Sequence, residues 1–136
     1  MHFDTKMAIV IRDDLLPWQG LNVTAFLAGG LAGRDPGILG AAYADADGTD
    51  YAPLIREPIF VLAGTAETLQ RTRRRAVDRG LTPAIYTVEM FTTDHDDANR
   101  AAVAAVKAEA LDLVGVAIHG PRKAVDKVIN GLKRHP

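Results

Sequence analysis

Five consecutive apolar residues, Met7-Ala8-Ile9-Val10-Ile11, lie between Lys6 and Arg12. A run this short, rich in Val and Ile and without polar alternation, predicts a strand buried on both faces. Such a strand needs a sheet with helices on either side. Charge returns abruptly at Arg12-Asp13-Asp14, and Pro17 disfavours helix at Leu16, so the chain is still turning there. From Leu21 to Leu31 the pattern becomes helical, with Val23, Phe26, Leu27, Gly30 and Leu31 three and four apart. Asn22 is the expected N-cap. Thr24, Ala25, Ala28, Gly29, Ala32 and Gly33 are small. Close packing of this helix on the sheet is the plain reading of them, and room for a ligand is the alternative.

The rest of the chain supplies partners for that unit. Ile38 to Tyr43 and Tyr51 to Ile55 are expected to form a hairpin around Asp47-Gly48, with Gly48 in the left-handed position. The acidic residues there lack the spacing of a calcium loop. Ile59 to Ala63 reads as a second buried strand, and Thr65 as the N-cap of a helix running to Arg79. Leu69, Ala76 and Val77 are expected to face inward, and Gly80 to close the helix. Arg71, Arg73, Arg74, Arg75 and Arg79 lie on the same helix. They suit either a solvated face or a phosphate backbone. Ala84 to Val88 predicts a third strand. Asp96 or Asp97 caps an Ala-rich helix reaching about Ala108, and capping with solvation accounts for Asp94, His95 and Asp96 without a metal. Leu113 to Ile118 predicts a fourth strand. A last helix then starts at Pro121, with Val125, Val128, Ile129 and Leu132 as its buried stripe. Strands alternating with helices predict an α/β fold of three layers, α/β/α, around a four-stranded mixed sheet with an inserted hairpin.

Composition narrows the function. The chain has 136 residues, a length that suits one domain spanning 1–136. The formal net charge of −1 argues against a domain living on phosphate contacts. Cysteine is absent, and no long apolar run or leader stands out. The expectation is a cytoplasmic protein with no membrane span. Nothing in the pattern requires a metal or another cofactor.

Lys6-Met7, the apolar run and Arg12-Asp13-Asp14-Leu15 resemble the opening of the type II peptidyl-tRNA hydrolase fold. Gly80-Leu81-Thr82 is similar to that family's entry to its third strand. Gly120-Pro121, Asp126-Lys127-Val128 and Leu132-Lys133 resemble its closing segment. Pro17-Trp18-Gln19, Leu21 to Ala28 and Tyr51-Ala52-Pro53-Leu54-Ile55 resemble more closely a bacterial family of unknown function sharing this fold. The resemblance implies a three-layer mixed sheet. It does not carry the hydrolase reaction, because Leu21 stands where those enzymes have Lys and Ala25 where they have Gln. Their acidic residue after the third strand has only a shifted counterpart in Glu89. A Leu cannot stabilise transition-state charge as a cation does.

Open α/β sheets bind ligands outside the carboxyl ends of their strands. The candidate binding set there is Arg12, Asp13, Trp18, Gln19, Asn22 and Thr24, with Glu89 and His119 nearby. Trp18 would supply a wall, Asn22 a directional hydrogen bond and Arg12 a counter-charge for a small anionic ligand. The expected function is a small-ligand-binding protein or an enzyme of unknown substrate. Two alternatives stand beside it. One is a tRNA- or ribosome-associated protein, supported by the arginine helix. The other is a self-associating protein, a homodimer through the hairpin.

Overall fold

The computed structural model describes residues 3–136. Its strands are β1 (Thr5–Arg12), β2 (Tyr43–Ala44), β3 (Asp50–Tyr51), β4 (Ile59–Gly64), β5 (Ala84–Thr87), β6 (Leu113–Pro121) and β7 (Lys133–Arg134). Its α-helices are α1 (Pro17–Arg34), α2 (Ala66–Asp78), α3 (Asp96–Ala104) and α4 (Arg122–Val128). Five strands form one mixed sheet in the order β5-β6-β1-β4-β7. β1 is central, parallel to β4 and antiparallel to β6. The expected double burial of Met7 to Ile11 is what the structure has: all five residues are at most 1% exposed. Met7, Ile9 and Ile11 pack with Val23, Leu27 and Leu31 of α1. Ala8 and Val10 pack on the other face with Leu69 and Ala76 of α2 and Val125 and Val128 of α4. Full burial of each large residue in that run stabilises by about 1.5–3 kcal/mol.

The sheet has five strands rather than four. The fifth, β7, pairs Arg134 with Leu62 and Lys133 with Ala63 at the sheet edge. Two charged residues carry no hydrophobic alternation, and charge is what natural edge strands use against further pairing. The hairpin turn forms with Gly48 at φ +83°, but its paired strands are only Tyr43–Ala44 and Asp50–Tyr51. Ile38, expected in the first strand, lies in a 3-10 turn, and Leu39 and Ile55 meet in an isolated bridge. Asp45 holds its loop together by accepting from the amides of Asp47 and Thr49 and from the Tyr51 hydroxyl.

Several local expectations are corrected. α1 begins at Pro17, so Asn22 lies inside the helix and caps nothing. The side chain of Gln19 instead accepts from the Leu16 amide at 2.9 Å. Phe26, Gly29, Gly30 and Gly33 face outward, and a Cβ on any of these three glycines would meet open space. Close approach to the sheet is made by Gly115 of β6, where a Cβ would lie 2.5 Å from Val23 Cγ1 and 2.8 Å from Leu27 Cδ1. In α2, Val77 is exposed and Thr72 takes an inward position, its hydroxyl satisfied by donating to the Thr68 carbonyl at 2.8 Å. α3 is capped by His95, whose Nδ1 accepts from the Ala98 amide at 3.1 Å, while Asp96 and Asp97 pair with Arg100. The helix stops at Ala104, short of Ala108. Gln70 of α2 donates to the carbonyls of Ala108 and Leu111 and holds that stretch as a separate turn. Pro121 ends β6 and stands just before α4. Among the described residues, no helix is long and apolar enough to cross a membrane.

Candidate functional site

The carboxyl ends of β1 and β4 open onto a cavity of about 670 Å³ between the first turns of α1 and His135-Pro136, which follow the edge strand β7. Its walls are mostly apolar and include Leu15, Leu21, Ala25, Val61 and Ala63. Arg12, Asp13, Thr24 and His135 supply the polar groups. Leu21 is 74% exposed, so its side chain lies at the cavity rim against water.

Arg12 is placed by the end of the buried strand. Its Nε donates to Asp14 at 2.7 Å and its Nη1 to Asp112 at 2.6 Å. Burial alone would lower its pKa, but those hydrogen bonds and the two carboxylate charges outweigh it and raise the value further. The cation is therefore permanent, and two carboxylates balance it. The Asp13 amide donates to the Gly64 carbonyl at 2.9 Å, tying the turn after β1 to the end of β4. Thr24 donates to the Gly20 carbonyl at 2.7 Å, which leaves its oxygen able to accept.

The remaining candidates lie elsewhere. Trp18 and Asn22 are four apart on a different face of α1 and line a separate cavity of about 370 Å³ with Phe26, Phe91, His95 and Asn99. Trp18 meets Phe91 edge-on at 5.9 Å, and Tyr86 bridges Phe91 and Phe26 at 5.3 and 5.9 Å. Gln19 is occupied by its cap. Glu89 is exposed on the short 3-10 turn after β5. His119 is at the other end of the sheet, because β6 runs antiparallel to β1 and His119 pairs with Met7 near the start of that strand. The structure therefore groups Arg12, Asp13 and Thr24, groups Trp18 with Asn22, and separates His119 from both.

Sequence reasoning missed Glu57, Tyr86 and Phe91. Glu57 is the buried partner of His119, and a contact across 62 residues leaves no local signal. The arginines of α2 are not one free row. Arg73 and Arg74 both reach Glu109, at 3.0 and 3.4 Å.

Comparison with known proteins adds kinship but no activity. The structure is similar to Atu0240, a protein of unknown function from Agrobacterium tumefaciens strain C58. The two have a TM-score of 0.95 and 42% sequence identity over 99% of this chain and 100% of that one. No curated protein matches the chain. Residues 5–136 match the family described as protein of unknown function DUF2000, and the chain belongs to that family.

Proposed function

We propose that this protein binds a small, largely apolar molecule in the cavity between α1 and the carboxyl ends of β1 and β4. One observation carries the reading: about 670 Å³ of mostly apolar space with Arg12, Asp13 and Thr24 at its polar side. Ligand sites are commonly concave and apolar, with a few polar groups that set orientation. The ligand's polar end is a hydrogen-bonding group rather than a strong anion, because Asp14 and Asp112 already balance Arg12. The scaffold is read as related to the type II peptidyl-tRNA hydrolases, on the opening and closing motifs of the chain. The hydrolase reaction is not carried over, since Leu21 brings no charge to the cavity rim. Binding of nucleic acid through α2 is not favoured either, given the hold of Glu109 on Arg73 and Arg74.

Ligand-dependent thermal stabilisation of wild type and of Ala25→Trp, which fills the cavity from an exposed helix position, tests the reading. A second reading, self-association through the hairpin, is favoured by Tyr43 and Tyr51, which are exposed and directly opposite each other. Sedimentation equilibrium giving only monomer would remove it.

A further inference from the structure

We propose that His119, Glu57 and Arg34 form an acid–base site for small molecules bearing a carboxylate or phosphate group, at the end of the sheet opposite the ligand cavity. Glu57 lies just before β4, and its side chain is 2% exposed. Its Oε1 is 2.6 Å from His119 Nε2, and its Oε2 accepts from the Thr5 hydroxyl at 2.8 Å. A buried carboxylate accepts and does not donate, so the satisfied arrangement has Nε2 carrying the proton. The lone pair of the neutral ring is then on Nδ1, for which the described residues offer no partner. His119 lines a cavity of about 310 Å³ together with Arg34, Thr5, Thr82 and Leu31.

Arg34 reaches Thr82 Oγ1 at 3.3 Å, and no described carboxylate lies within ion-pair distance of it. One cavity thus holds a base of set tautomer and a cation that no described carboxylate pairs; Asp35 also lines it, its carboxylate accepting from the Gly37 amide at 3.1 Å. Guanidinium groups bind carboxylate and phosphate through paired N–H donors, so Arg34 holds the anion. His119 Nδ1 accepts the proton of a hydroxyl on the bound molecule, whose oxygen keeps the electron pair. Glu57 is the positioning residue. It orients the ring and balances the imidazolium until the proton is returned.

The test is ¹⁵N NMR of the histidine rings in the full chain, titrated with inorganic phosphate in one arm and acetate in the other. The expected result is an Nε2–H tautomer for His119 and a saturable shift of its ring signals with at least one ion, while His95 and His135 respond only to ionic strength. The responding ion identifies the anion class. Arg34→Gln should keep the tautomer and lose the saturation, and Glu57→Gln should lose the tautomer preference. If Glu57→Gln does not fold, wild type and Arg34→Gln decide alone. An Nδ1–H tautomer in wild type, no saturable response to either ion, or an undiminished response in Arg34→Gln would overturn the proposal.

Discussion

Gly115 of β6 faces Val23 of α1 so closely that a Cβ added to Gly115 would lie 2.5 Å from Val23 Cγ1. The long helix rests on the sheet at this point, and Leu27 and Ile11 close around it. Gly115→Ala should destabilise the protein by about 1–3 kcal/mol, the usual cost of overpacking a dense core. Gly29→Ala and Gly30→Ala should each stabilise it by about 0.5–1 kcal/mol, since both glycines face open space within a helix. Urea unfolding of the three variants reads both signs. A neutral Gly115→Ala would mean that the helix can move away from the sheet at little cost.

Thr87 carries a buried hydroxyl with no hydrogen-bond partner among the described residues. It lies at an irregularity in β5, where Tyr86 pairs with Gly115 but Thr87 with Leu113. A buried polar group without a partner costs about 1–3 kcal/mol. Thr87→Val keeps the shape and removes the hydroxyl, so it should raise stability by roughly 1 kcal/mol. Equilibrium unfolding that shows a loss would mean that the hydroxyl has a partner.

Tyr86 is the one buried tyrosine of three, and burial pushes its pKa above the usual value. A raised folded pKa means that the folded state holds the proton more tightly than the unfolded chain. The associated stability is fully present below about pH 10 and is lost as pH rises through the folded pKa. Phenolate absorbance should therefore rise in two steps, with the later step absent in Tyr86→Phe. Unfolding should become easier across the later step in wild type but not in the variant. A single step shared by all three tyrosines would contradict the burial of Tyr86 beneath Phe26 and Phe91.

The core was legible in the sequence because an unbroken apolar run has few other destinations. Met7 to Ile11 predicted both the central strand and the helices on its two faces. The strand-end location of Arg12 and Asp13 followed from the same run. Four things were not legible. Gly115 lies inside β6, where only the position of α1 reveals why a side chain is missing. The outward glycines of α1 have the same local appearance as inward ones, because a small residue does not report its face. The partnership of Glu57 with His119 joins distant segments, and neither residue has a spacing that announces the other. β7 is too short and too charged to register as a strand at all.

The most direct test of the ligand cavity is thermal shift of wild type, Ala25→Trp and Asn22→Asp against a library of small apolar molecules carrying one polar group. Asn22 lines a different cavity, so its variant is the control. A ligand at a hundred times its Kd stabilises by about 2.7 kcal/mol, or roughly 10 °C for a chain of this size. Compounds that bind this cavity should shift wild type and Asn22→Asp together and leave Ala25→Trp unmoved. Compounds that stabilise all three proteins equally, or a library without effect on wild type, would contradict a ligand site there.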